Sequence, residues 1–159
     1  MDKVLLQRIK DQYQLNVNSD HGISHWQRVN DIGLFLSKET GADPTVVSLF
    51  AYLHDSKRIN EDYDPRHGER AALFASALYE EKLFDIAVSQ LNDLVTACKL
   101  HSQSEIKPAN ITIATCWDAD RLDLWRLGAT PDPEYLFSNA AKKKESFEYS
   151  YGLNNYQPT

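Results

Sequence analysis

Three segments of this sequence bring together side chains that hold protons, metals or phosphates. They are the run His21-Gly-Ile-Ser-His25-Trp-Gln-Arg28, the doublet His54-Asp55 after Leu49-Phe-Ala-Tyr-Leu53, and the run Asp118-Ala-Asp120-Arg121-Leu-Asp123. At about 3.6 residues per helical turn, His25 falls on the stripe of Val29, Ile32 and Leu36, and His54 shares a face with Val47 and Ala51. His101 lines up with Leu94 and Cys98, and Asp120 with Ile113, Trp117 and Leu124. Polar groups therefore sit on faces that should be buried. An ionised carboxylate buried without a partner costs several kcal/mol, so Asp120 must neutralise, pair with a cation or bind a metal. Each group alone has an ordinary explanation: Asp120 paired with Arg28 or Arg121, His101 capping a helix end, Asp55 opening a turn. Four such groups on four helices are accounted for together by one cation in the core of a helical bundle. Imidazoles and carboxylates without a thiolate suit Mn, Fe, Co, Ni or Mg better than a structural zinc.

The elements that must position these groups are helical. Periodicity near 3.6 runs through most of the chain and no segment alternates strictly in twos, which predicts an all-α, single-domain bundle of about six to seven helices. An opening helix reaches about Tyr13, and a second runs from Ile23 to Lys38 with its stop at Gly41. Three Asp-Pro pairs, Asp43-Pro44, Asp64-Pro65 and Asp132-Pro133, read as helix starts, because Asp accepts from unpaired backbone N–H groups and Pro has none to leave unpaired. Helices are expected over 44–55, 66–82, 85–100, 110–127 and 133–145. The polar segments 56–65 and 102–109 read as loops, each following a histidine-bearing helix end. Residues 1–146 form the expected domain. A tail, 147–159, with Tyr149, Tyr151, Asn154, Asn155 and Tyr156, either frays or packs as a lid.

Composition narrows the function. At 159 residues the chain suits one domain with a full core. A net charge of −6 argues against a broad grip on nucleic acid or an anionic membrane, so any phosphate contact must be local. No apolar run approaches the ~18 residues of a membrane span, and the N-terminus lacks the apolar stretch of a secretory signal, so a cytoplasmic location is expected. Cys98 and Cys116 are far apart and form no Cys-x-x-Cys pair, which disfavours a disulfide or zinc knuckle.

The order His25, His54-Asp55, Asp120, with the flanking His25-Trp-Gln-Arg28-Val29 and Ala119-Asp-Arg-Leu122, closely resembles the HD superfamily of metal-dependent phosphohydrolases. The resemblance implies that His25, His54, Asp55 and Asp120 bind a divalent cation, manganese among the candidates. The stretch from His54 to Arg70 looks like the loop that closes over the site in small single-domain members. It offers Lys57, Arg58 and Arg66 to phosphate oxygens, with Arg66 read as a solvated loop charge. The resemblance further implies substrate contacts from Lys57, Arg58, His67 and His101. Asp55 or Asp118 would take the proton of an attacking water, and His67 or Arg58 would stabilise phosphoryl charge. Binuclear members carry the order H, HD, H, H, D, which His67 and His101 complete for a second cation. The short Asp55-to-His67 spacing favours one cation over two. His21, one turn before His25, is expected behind the ligands. The implied activity is divalent-metal-dependent hydrolysis of a phosphomonoester or nucleotide, with a small phosphorylated substrate as partner; the oligomer is left open by the sequence, a homodimer being common among small all-α domains with an exposed aromatic tail. The alternatives are a di-iron oxygenase on the same scaffold, a nucleotide-binding module without turnover, and a helical interaction domain. Trp26, Tyr52, Trp117 and Trp125 either stack on a base or fill the core.

Overall fold

The computed structural model of the protein describes residues 1–155, and residues 156–159, Tyr156 included, lie outside the described part. The described residues form seven α-helices and no strand: α1 (Lys3–Asp11), α2 (Ile23–Thr40), α3 (Pro44–Leu53), α4 (His67–Glu80), α5 (Val88–Leu100), α6 (Ile111–Leu122) and α7 (Lys144–Asn155). Side chains set the starts: Asp2 accepts from the amides of Val4 and Leu5, Asp43 from those of Thr45 and Val46 with Pro44 in the first turn, and Asn110 from Ile113. Gly41, at φ 74°, ends α2 in the left-handed conformation that glycine adopts without strain.

Helix α2 is the spine, packed on α3 and α6, while α4 lies along α5 and α3 bridges the two halves. Trp26, Ile32, Leu36, Phe50, Leu53, Leu94, Ile113, Trp117 and Leu122 are fully buried between them. Each contributes about 1.5–3 kcal/mol of apolar burial. Trp26 and Trp117 are therefore core residues, and their indole N–H groups donate to the carbonyls of His21 and Ala97. Gly68 sits where α4 meets the end of α5. A Cβ there would stand 2.6 Å from the Cys98 carbonyl oxygen and 2.9 Å from that of Lys99. Its missing side chain lets the start of α4 approach the end of α5, and so lets His67 reach His101.

The expected helix over 133–145 does not form. Only Pro133–Tyr135 makes a 3-10 turn, and regular helix resumes at Lys144. The buried Asp118 carboxylate accepts from the Phe137 and Ser138 amides, both at 2.8 Å, and Arg121 donates to the Tyr135 carbonyl. Those groups are thereby withdrawn from a helical ladder. Likewise the helix expected to Leu127 ends at Leu122 and tightens into a 3-10 turn over Asp123–Leu127. Helix α7 runs across the boundary expected at residue 146. Its Tyr149 ring stacks on Phe35 at 4.3 Å, and the Trp125 indole donates to Ser150 at 3.0 Å. The described part of the expected tail is thus packed on α2 and on the turn after α6. No helix of the described residues is long and apolar enough to cross a membrane.

Candidate metal centre

Four of the five histidines converge on one point, and each arrives with its ring nitrogens already sorted. His54 and His101 occupy the C-terminal caps of α3 and α5, where the last carbonyls of a helix have no amide partners. His54 Nδ1 donates to the Phe50 and Ala51 carbonyls, both at 3.1 Å, and His101 Nδ1 to Cys98 at 2.7 Å. His67, opening α4, donates from Nδ1 to the Asp64 carbonyl. His25, inside α2, donates from Nδ1 to the Asp123 carboxylate at 2.7 Å. A carbonyl or carboxylate oxygen only accepts, so the proton of each neutral ring lies on Nδ1 and the Nε2 lone pair faces the centre.

These lone pairs crowd together with two carboxylates. His25 Nε2 and His54 Nε2 are 3.1 Å apart, and Asp120 Oδ1 lies 3.3 Å from the first and 3.5 Å from the second. Asp55 Oδ2 completes the group at 3.5 and 3.7 Å from the same two nitrogens. Donor atoms each about 2.1 Å from one ion, at tetrahedral or octahedral angles, stand about 3.0–3.4 Å apart. The separations among His25, His54 and Asp120 fit that cage with little relaxation, while Asp55 stands slightly farther out and groups also with His54 and His101. The residues therefore suit one divalent cation, because acceptors at this spacing repel unless a cation lies between them.

Asp55 also faces the other way. Its Oδ1 lies 3.2 Å from His67 Nε2 and 3.5 Å from His101 Nε2, which are themselves 2.8 Å apart. Arg58 is buried beside this second half, its Nη1 3.7 Å from Asp55 Oδ1 and 3.5 Å from His67 Nε2. Loop carbonyls fix the guanidinium: its Nε donates to Asn60 and its Nη2 to Asp62. Burial works to raise the Asp55 carboxyl pKa, yet positive charge on His54 and hydrogen bonds from His101, His25 and His67, each made when the ring carries a second proton on Nε2, hold it well below the usual carboxylate range. For Asp120 burial is likewise outweighed, by His54 and His25. Burial and the Arg126 charge oppose protonation of His25, but Asp120, Asp123 and Asp55 push its pKa up to about 9. The carboxylates around His25 thus favour positive charge at the centre of the cage.

The structure brings His25, His54, Asp55, Arg58, His67, His101 and Asp120 together, and leaves three expected residues out. Asp118, expected near the attacking water, is two residues from Asp120 and so on the other side of α6, with both oxygens occupied by backbone amides. Burial, against those amides, raises its pKa. Lys57, expected on substrate, points toward α1, where Nζ donates to Gln12 Oε1 at 2.6 Å over the Phe74 ring. His21 meets Glu61 at 2.7 Å and bonds to no ligand. Arg66, read as a solvated charge, is exposed and paired with Glu69.

Asp123 is the group the sequence reading passed over. Fully buried, it accepts from His25 Nδ1 through Oδ2, and from Arg28 Nε at 2.7 Å and Asn154 Nδ2 at 2.8 Å through Oδ1. The signal lay in the spacing: Arg28 is three residues after His25 and Asp123 three after Asp120, so two adjacent helical turns each carry a ligand and a supporting group. Partners of this kind set the orientation and basicity of a metal-binding imidazole and are worth about 10–100-fold in affinity. Asp123→Asn is expected to weaken Mn or Co binding by about that factor. Calorimetric titration of metal into the stripped variant checks it.

No family model matches the chain, and no curated protein matches it. Among solved structures, the crystal structure of a predicted HD superfamily hydrolase from an uncultured Thermotogales bacterium matches with a TM-score of 0.71 and 26% identity, over 95% of this chain and 85% of that one. That all-helical likeness along nearly the whole length, together with this chain's own histidines and aspartates in the order H, HD, D, supports an assignment to the HD superfamily.

Proposed function

We propose that the protein is a divalent-metal-dependent hydrolase of a small phosphomonoester, such as a nucleotide. The observation that carries this reading is the division of labour around Asp55: one oxygen completes a cation cage, and the other faces a buried arginine and two histidines. When bound, a divalent cation supplies acidification of water near neutral pH and withdrawal of charge from a phosphoryl oxygen.

The chain's own residues do the rest. Arg58, anchored by two loop carbonyls, offers the free edge of its guanidinium to phosphoryl oxygens. His67 accepts a proton at Nε2 from the attacking water, because its Nδ1 is tied to Asp64. The resulting imidazolium is stabilised by Asp55 Oδ1. Substrate approaches through a cavity of about 230 Å³ that Arg58 and His67 line together with Tyr63, Pro65 and Ser102. That volume is below the ~300–1,000 Å³ of sites for drug-sized ligands and suits a small molecule.

One cation is favoured over two because Arg58 already brings positive charge to the second half. The metal-free protein should be screened for phosphate release from nucleotides and generic phosphoesters with Mn, Co, Ni and Mg. Release that requires added metal supports the reading. Oxygen uptake with two irons per chain would instead favour the oxygenase. Arg58→Gln is expected to lower kcat/KM by about 10–100-fold, with metal content unchanged.

A further inference from the structure

The loop that carries Arg58 is closed by a residue outside it. Arg70 lies one turn along α4 from His67, on the same face of the helix. Its Nε donates to the Lys57 carbonyl at 3.0 Å, and its Nη2 to both carboxylate oxygens of Asp64, at 2.7 and 2.6 Å. Asp64 Oδ2 also accepts from the Ile59 amide at 2.9 Å. One guanidinium thus joins the start of the loop to its end. The Asp64 side chain is 3% exposed, and burial works to raise its carboxyl pKa, yet the Arg70 guanidinium and the Ile59 amide hold it below the usual carboxylate range. The pair is therefore ionised at neutral pH.

What depends on this closure is the Arg58 side chain. Its two anchors, the Asn60 and Asp62 carbonyls at 3.2 and 2.7 Å, both lie inside the closed segment. The Asn60 side chain ties them together, accepting from the Asp62 amide at 2.9 Å and donating to the Tyr63 carbonyl at 3.3 Å. Helix α4 thereby sets, through Arg70, where the Arg58 guanidinium stands against Asp55 and His67. Desolvation offsets the attraction within a buried ion pair, so its contribution here is to geometry more than to stability. A displacement of about 1 Å in a group that positions substrate costs on the order of 10²-fold. Lysine at position 70 would supply a point charge in place of a fork that reaches a carbonyl and a carboxylate at once.

We infer that Arg70 is a positioning residue for phosphoryl binding: with Asp64 it closes the Lys57–Asp64 loop and so holds the Arg58 guanidinium where a phosphoryl group is received. The inference rests on the phosphohydrolase reading above. Arg70 does not line the cavity that borders Arg58 and His67, so it acts through Arg58 and not on the ligand.

The test places Arg70→Lys in the full metal-loaded chain, once with Arg58 present and once in Arg58→Gln. For each protein, kcat/KM is measured on the phosphoester of the screen above that the wild type turns over best, and the Kd of inorganic phosphate by calorimetry. A residue that acts only through Arg58 has nothing left to act on once Arg58 is replaced. The expected result is a loss of about tenfold in kcat/KM and in phosphate affinity with Arg58 present, a loss under about twofold in Arg58→Gln, and unchanged metal content throughout. No loss with Arg58 present, or the same loss with and without it, would overturn the inference. Should Arg70→Lys lose helical content, Asp64→Asn, which removes the charge of the same pair at nearly equal size, goes through the same comparison and decides by the same outcomes. If the wild type releases phosphate from no compound of the screen, it is the hydrolase reading that fails. The phosphate affinities alone then decide the role of Arg70, and a wild type that binds no phosphate overturns it.

Discussion

Replacing Asp55 with alanine is expected to abolish cation binding and phosphate release together while leaving the helical content of the protein intact. The residue is the only one whose two carboxylate oxygens face both halves of the centre among the described residues, Oδ2 toward His25 and His54 and Oδ1 toward His67, His101 and Arg58. Loss of an outer partner of a ligand costs about 10–100-fold in metal affinity, and loss of a charged ligand itself exceeds that. The fold survives because the apolar residues of α2, α3 and α6 pack independently of the carboxylate. Elemental analysis, phosphate release and far-ultraviolet circular dichroism check the three parts. Retention of both metal and activity would remove Asp55 from the account.

The second large effect is of pH on metal binding. A metal and a proton compete for His25 Nε2, and the His25 pKa, raised from 6.5 to about 9 by Asp120, Asp123 and Asp55 against its burial, gives the proton the advantage at neutral pH. Affinity is therefore expected to fall by about tenfold for each pH unit below about 9, with one proton released per cation bound near pH 7. Calorimetry in buffers of different ionisation enthalpy measures the released proton directly. In the metal-free protein the same shifts act on stability. His25 contributes stability that is complete below 6.5 and is lost as pH rises through about 9. Asp55 and Asp120, lowered, contribute stability present above 3.8 and lost as pH falls.

The centre was legible where a polar residue interrupts an apolar stripe. His25, His54, His101 and Asp120 each stand out against helix periodicity, which needs only local sequence. What periodicity does not contain is direction at adjacent positions: Lys57 and Arg58 are neighbours, yet one turns to Gln12 and the other to Asp55. Nor does it contain bonds closed across the chain. Asp123 meets His25 over a separation of 98 residues, and Asp118 draws in the amides of Phe137 and Ser138 about five helical turns later. The second of these contacts also explains the missing helix, since the run Tyr135-Leu-Phe-Ser-Asn-Ala-Ala141 carries ordinary helical residues that a buried carboxylate overrides. Asp118 and Asp120 themselves could be separated from sequence alone, because a two-residue step turns about 200° around a helix.

The central claim, that His25, His54, Asp55 and Asp120 hold a cation, is tested most directly by metal analysis of the purified wild type beside Asp120→Ala, each after incubation with Mn, Co or Ni and removal of excess. The account predicts one divalent cation per chain in the wild type and none retained by the variant. A wild type that keeps no stoichiometric cation, or a variant that keeps a full one, would contradict it.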